Sequence, residues 1–203
     1  MKIICIGRNY HAHIKELGNE VPAEPVFFIK PDTSLLIRNR PFFYPDFSSD
    51  IHYEAELVLK ICKVGKQIQP RFAHTYYDKI GLGIDFTARD IQDRAKKAGL
   101  PWFTAKGFDH SAPVSQFIPK SEFPALDHIS FSLNLNGKMV QQGDTTLMIH
   151  SFDDIIVHAS RFVTLRTGDL IFTGTPAGVG PVKVGDRLEG YIGEKLMLTC
   201  NIK

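Results

Sequence analysis

The chain has 203 residues with 24 basic and 22 acidic side chains, for a formal net charge of +2. No basic stripe with interleaved aromatics is present, so nucleic acid is excluded as a partner. Hydrophobic residues make up 43% and charged residues 23%, which excludes a disordered chain and suits one sizeable core, expected to span residues 1–203 as a single domain.

The opening stretch, MKIICIGRNY, has a short apolar run that ends at Gly7 and Arg8, and no later run reaches membrane-spanning length. A soluble, cytoplasmic protein with no membrane partner is expected. Cys5, Cys62 and Cys200 agree with a reducing compartment. Their number is odd, none belongs to a C-x-x-C pair, and each sits in an apolar, strand-like run, so unpaired buried thiols are expected.

In chain order, KIICIG reads as a short strand. Asn9 is placed to cap a brief helix running to about Leu17, and Gly18 to end it. Pro22 and Pro25 make an extended connection to VFFIK, a strand, and SLLIRN is a candidate for another. HYEAELVLK, residues 52–60, alternates: Tyr53, Ala55, Leu57 and Leu59 share one face, Glu54, Glu56, Val58 and Lys60 the other. PRFAHTYYDKI is expected to be helical and GLGIDF a short strand. Thr87 and Asp90 fit a capping box for the helix ARDIQDRAKKA, which Gly99 closes.

ISFSLNLNGKMV alternates around an Asn-Gly hairpin turn. Ser151 and Asp154 fit a second capping box, opening the helix FDDIIVHASRF. From Leu165 onward the chain consists of short strands and glycine turns. The pattern predicts a β-dominated α+β fold with a few helices on its flank.

Glu54 and Glu56 project side by side from one face of an extended segment, where like charges repel. Either the face is solvated or a divalent cation with a taste for hard oxygen ligands lies between them. A third acid is then wanted. Asp85, at the end of an apolar strand just before a helix, is the candidate, and helix capping is its alternative role.

His13 and Glu16, three apart on one helix face, are either a surface pair or a general base with the carboxylate that orients it. Lys106 lies in the aromatic-rich WFTAKGFD, as a snorkelling side chain or as a cation for an anionic ligand. TGTPAGVG lacks the G-K-[ST] ending of a phosphate loop and suits a turn whose amides and threonines face a small ligand. G-x-S-x-G and H-E-x-x-H are both absent, which argues against a serine hydrolase or zinc protease.

Six segments in register carry a resemblance: GRNYHAHIKELG, EPVFFIKP, IHYEAELVLKI, GIDFTARDIQ, GLPWFTAKGFD and DLIFTGTPAGVGPV. Together they resemble the fumarylacetoacetate hydrolase superfamily from Gly7 to Val182, and look closest to its small single-domain acylpyruvases, some of which also decarboxylate oxaloacetate. The resemblance implies a mixed β-roll or sandwich with flanking helices, usually assembled as a homodimer.

It also implies Mg2+ or Mn2+ held by Glu54, Glu56 and Asp85. His13 and Glu16 become the catalytic dyad and Lys106 the family lysine, while Gln92 and Thr175 become contacts to the substrate's carboxylate end. Arg8 and Lys30 stand in shared motifs without a definite role. The implied activity is metal-dependent cleavage of the C–C bond of acylpyruvates (2,4-dioxo acids). Decarboxylation of oxaloacetate, and hydration or isomerisation of 2-oxo dicarboxylates, are the alternatives. Residues 10–25 are expected to form a lid that orders over substrate.

Overall fold

The computed structural model describes every residue except Leu17, Asn19 and Glu20. Strands dominate. The first half of the chain carries β1 (Ile3–Gly7), α1 (His11–Glu16), β2 (Val26–Lys30), β3 (Leu35–Leu36), β4 (Ile51–Tyr53) and β5 (Ala55–Ile61). There follow α2 (Pro70–Ala73), β6 (Tyr77–Ile84), β7 (Thr87–Ala88), α3 (Arg89–Ala98), α4 (Phe103–Lys106), β8 (Ala112–Pro113) and β9 (Ile118–Pro119). The remainder comprises β10 (Ser130–Leu135), β11 (Lys138–Asp144), α5 (Phe152–Phe162), β12 (Leu170–Phe172), β13 (Gly180–Pro181), β14 (Arg187–Ile192) and β15 (Lys195–Asn201).

A six-stranded mixed sheet in the order β2-β1-β12-β5-β6-β9 is the frame on which the site is built. Its inner strands are buried on both faces. Ile4, Ile6, Leu57, Leu59 and Ile171 point into the larger apolar cluster, whereas Ile3, Cys5, Val58, Leu170 and Phe172 point into a smaller one. The period-two alternation expected of HYEAELVLK therefore holds, with apolar packing on both sides. The larger cluster fills the space against a four-stranded antiparallel sheet, β11-β10-β14-β15, and against α5. The fold is mixed α+β and β-dominated, as the pattern predicts.

Local chemistry explains which boundaries hold. Asn136 and Gly137 both take positive φ (52° and 79°) between β10 and β11, the twist a two-residue hairpin requires. Ser151 Oγ accepts from the Asp154 amide while the Asp154 carboxylate accepts from the Ser151 amide, the reciprocal box that starts α5. Gly99 ends α3 in the left-handed region and Gly18 takes the same conformation after α1.

Other boundaries differ from the sequence reading, each for a tertiary reason. Residues 52–60 are not one strand: β4 pairs with β7 and β13, β5 pairs with β6 and β12, and the chain changes sheet at Glu54. The helix expected over PRFAHTYYDKI stops at Ala73, because Tyr77 onward is recruited into β6 against β5. α3 has no side-chain cap. Thr87 Oγ1 donates to Asp85 O, and Asp90 bonds the Ser48 hydroxyl and its neighbour's amide instead.

Asn9 does not cap α1 with its side chain. Its amide donates to His150 O and Thr173 O, and its Oδ1 accepts from the His150 amide, tying the loop after β1 to two distant segments. Cys5 and Cys200 are buried, Cys62 is half-buried, and all three are free thiols. No helix among the described residues is long and apolar enough to cross a membrane.

Candidate active site

The site forms where strands of the central sheet end. Glu54 occupies the single residue between β4 and β5, Glu56 is the second residue of β5, and Asp85 directly follows β6. The Asp85 amide donates to Glu54 O at 2.8 Å, so the main chain itself fixes two of the three acids to each other. Their carboxylates converge, with one oxygen from each lying within 4.8 Å of the other two, and all three residues are buried.

Three buried carboxylates need positive charge, and the cations present reach two of them. Lys106 Nζ, at the end of α4, donates to Glu54 Oε2 at 2.7 Å and to Asp85 Oδ2 at 2.8 Å. Arg89, opening α3, donates to Glu54 Oε1 at 2.6 Å and to Gln92 Oε1 at 2.6 Å. Lys30 Nζ lies 2.7 Å from Asp85 Oδ1. However, its protons are directed at Phe86 O, Ser111 O and Ser111 Oγ, so Oδ1 is buried without a hydrogen bond. Glu56 accepts one bond at 2.6 Å, from the Gly174 amide. Gly174 has φ +99°, and a Cβ there would meet Asn9 Cβ at 2.6 Å, so only glycine brings this amide to Glu56.

The electrostatics follow from these partners. Burial pushes Glu54 up, but Lys106 and Arg89 outweigh it and hold its carboxyl well below the usual range. Burial, then Asp85 and Glu54, push Glu56 well above the usual range, because no cation touches it. Burial opposes the charge on Lys106, but Asp85 and Glu54 prevail and raise its pKa. A hard divalent cation fits this donor set. It would meet three buried oxygen donors, use the unspent lone pair on Asp85 Oδ1, and relieve the repulsion borne by Glu56.

α1 covers this floor. His13 is buried and lines the same cavity, and its Nδ1 is 3.1 Å from Glu16 Oε2. Glu16 Oε1 in turn accepts from the Gly178 amide at 3.0 Å, joining the helix to the loop after β12. Thr175, in that loop, also lines the cavity. Its Oγ1 accepts from Gln141 Nε2 at 2.9 Å, and Gln141 Oε1 accepts from the Ala55 amide between the two glutamates. Of the segment 10–25 expected to form a lid, Leu17, Asn19 and Glu20 lie outside the described residues.

All eight residues singled out in the sequence thus come together: Glu54, Glu56, Asp85, His13, Gln92, Lys106 and Thr175 line one cavity, and Glu16 stands behind His13. Two supporting residues, Arg89 and Gln141, escaped the sequence reading, and a third, Lys30, was named there only as part of a shared motif without a role. Arg89 had a legible signal, since it lies one helical turn before Gln92 on the same face of α3. Lys30, fully buried at the end of an apolar strand, had a weaker one. Gln141 had none, because only the approach of β11 to the β4–β5 junction makes it structural.

A mixed sheet with a buried acidic cluster at its strand ends, roofed by a histidine–carboxylate pair, defines a class of metal-fitted α+β proteins with an enclosed polar cleft. The chain belongs to the fumarylacetoacetate hydrolase family: the model described as "Fumarylacetoacetate (FAA) hydrolase C-terminal" matches residues 2–202. It is 44% identical over 188 residues to the oxaloacetate tautomerase YcgM of Escherichia coli K12, covering 92% of this chain and 86% of that one. It is 45% identical over 185 residues to a mitochondrial oxaloacetate decarboxylase of Dictyostelium discoideum, covering 91% and 85%. Among solved structures, the fumarylpyruvate hydrolase of Pseudomonas aeruginosa in complex with Mn2+ and pyruvate superposes with a TM-score of 0.94 at 37% identity, covering 100% of this chain and 89% of that one.

Proposed function

We propose that this chain is a Mg2+- or Mn2+-dependent, cytoplasmic hydrolase that cleaves acylpyruvates to pyruvate and a carboxylate. The observation that carries this reading is the placement of one buried histidine, oriented by a carboxylate, in the same cavity as three convergent carboxylate oxygens. The fumarylpyruvate hydrolase complex with Mn2+ and pyruvate supports the metal and the substrate type. An ion held by Glu54, Glu56 and Asp85 would supply the positive charge that steadies the enolate released as the C–C bond breaks.

The side chains account for the remaining steps. His13 donates Nδ1–H to Glu16, which leaves the Nε2 lone pair to accept a proton from water. The water oxygen adds to the distal (C4) carbonyl, and the C3–C4 bond breaks with its electron pair remaining on the pyruvyl fragment. That fragment takes a proton at C3 to become pyruvate, and the acyl group leaves as a carboxylate. Such base catalysis contributes ~10²–10⁴-fold. Lys106 has a third proton, beyond those given to Glu54 and Asp85, to direct at the developing oxyanion. The Thr175 oxygen and Gln92 Oε1 both already accept bonds, so what they offer the substrate is donors, as a carboxylate requires.

The relatives named for oxaloacetate tautomerisation and decarboxylation favour a second reading, in which oxaloacetate is the substrate. The same cleft then serves without an attacking water, and His13 moves a proton at C3. Metal-stripped protein assayed with acetylpyruvate and oxaloacetate, with and without Mg2+ or Mn2+, separates the two. Acetate plus pyruvate supports hydrolysis. Carbon dioxide plus pyruvate, or enol–keto interconversion alone, supports the oxaloacetate reading. Inertness toward both overturns each.

Assembly as a homodimer is part of the proposal. β2 is an edge strand of the central sheet with exposed Val26 and Ile29, and exposed Leu100 and Phe103 line the same apolar hollow beside it. A monomeric mass by light scattering would contradict it.

A further inference from the structure

Gln141, on β11, is 2% exposed and satisfies both ends of its side-chain amide. Its Nε2 donates to Thr175 Oγ1 and to Pro176 O, each at 2.9 Å, and its Oε1 accepts from the Ala55 amide at 2.9 Å. Two of these partners leave the amide a single orientation. Pro176 O can only accept and the Ala55 N–H can only donate, so the nitrogen faces the loop after β12 and the oxygen faces β5.

Thr175 is the partner with a choice. A hydroxyl both donates and accepts, and here Gln141 compels it to accept. Its one proton is thereby turned away from Gln141. Thr175 lines the cavity together with the three carboxylates, Gln92 and Lys106.

The loop that carries Thr175 also reaches the rest of the site. Its Gly174 amide donates to Glu56 at 2.6 Å and its Gly178 amide to Glu16 at 3.0 Å. It packs directly on the β11 main chain, since a Cβ at Gly178 would lie 2.2 Å from Val140 O. At its other end the Gln141 amide holds Ala55, the residue between Glu54 and Glu56. One buried side chain thus joins the strand that bears two acids of the floor to the loop that bears Thr175.

From these contacts we infer that Gln141 is a positioning residue. It fixes the Thr175 hydroxyl as a donor into the cavity, for the carboxylate of a 2-oxo acid, and keeps that donor in register with the acidic floor. This rests on the proposed function, in which Thr175 meets the substrate's carboxylate, and adds a residue that acts only through another.

Gln141→Glu tests it. The carboxyl keeps an acceptor for Ala55 but brings at most one proton where the amide brings two. Pro176 O cannot donate, so Thr175 turns its own proton toward the glutamate. In calorimetry of the Mn2+-loaded proteins, pyruvate affinity should fall about tenfold, the size of a lost hydrogen bond to a charged group. Mn2+ affinity should not fall, because the contact at Ala55 is kept. Thr175→Val should lose pyruvate affinity by about the same factor. The double variant decides: about tenfold in total means that Gln141 acts through the Thr175 hydroxyl. A loss of about a hundredfold, the product of the two, means independent packing effects and overturns the inference. Gln141→Met, which releases the hydroxyl instead of reversing it, should give a smaller loss and supplies a second cycle where Gln141→Glu does not fold. Parallel loss of Mn2+ binding, unchanged pyruvate binding in Gln141→Glu, or no pyruvate binding by the parent would each overturn it. If acetylpyruvate and oxaloacetate both survive incubation with the loaded enzyme, the proposed reaction fails, while the pyruvate cycle still decides the role of Gln141.

Discussion

The floor and the roof of the cleft are held in different ways. The floor is over-determined: Glu54 and Asp85 share a main-chain hydrogen bond, Glu56 is anchored to Gly174, and Lys106, Arg89 and Lys30 brace the carboxylates from inside the core. The roof, α1, is six residues long, and among the described residues the side-chain hydrogen bond from the Gly178 amide to Glu16 ties it to the loop after β12. A helix that short has little stability of its own. Under the proposed function the floor holds the ion and the roof supplies the base, so the two should respond separately to mutation.

The largest effect expected is at the floor. Glu56→Gln should weaken Mn2+ binding by more than ~100-fold, beyond the usual cost of losing an outer-shell partner, and abolish activity. The metal-stripped variant should nevertheless be more stable than the parent at neutral pH. Glu56 is raised in the folded state, so its ionisation opposes folding once the pH exceeds the unfolded pKa, and the amide removes that cost. A gain in Tm of a few degrees corresponds to about 1 kcal/mol for a chain of this size. Equal Tm values with and without the substitution would show that Glu56 is not strained.

At the roof, His13→Ala should lower kcat for acetylpyruvate ~10²–10⁴-fold while Mn2+ affinity, read by calorimetry, stays as it was. Decarboxylation of oxaloacetate should be less affected than hydrolysis. Loss of ion binding together with turnover would merge floor and roof into one unit. Glu16→Gln is the next step down, at about tenfold in kcat. It should also raise hydrogen exchange over residues 10–16, because the tie to Gly178 is weakened. Oxalate should protect that segment in the parent protein, and equal protection with and without oxalate would count against a closing lid.

The smallest effect lies outside the cleft, at the start of α3. Burial pushes Asp90 up, but bonds from the Ser48 hydroxyl and the Ile91 and Ser49 amides outweigh it and lower its pKa. A carboxyl depressed in the folded state stabilises above its unfolded pKa and loses that contribution as the pH falls through the folded value. Asp90→Asn should therefore cost roughly 0.5–1 kcal/mol near neutrality, and the difference should fade below about pH 4, around the unfolded value. Urea titrations at both pH values measure it.

How much of this was written in the sequence depends on the range of the interactions involved. Local patterns carried the hairpin at Asn136–Gly137, the box at Ser151 and Asp154, the glycine that ends α3 and the shared helix face of His13 and Glu16. In each, the partners are at most a few residues apart, so sequence spacing fixes the geometry. The acidic triad was legible as residue types, and the six motifs in register supplied what spacing alone left open.

Long-range pairing decided the rest. Residues 52–60 divide at Glu54 because two different sheets compete for the same extended chain, and β6 overrides a helical pattern because β5 needs a partner. Thr87 and Asp90 do not form the expected capping box of α3 because their side chains bond Asp85 O and the Ser48 hydroxyl instead. Lys30, Arg89 and Gln141 acquire their meaning only when distant segments converge around three carboxylates. The sequence by itself determined which groups are available and which short elements form. Only tertiary structure decided which charges are neutralised, which are stranded, and hence where an ion would be held.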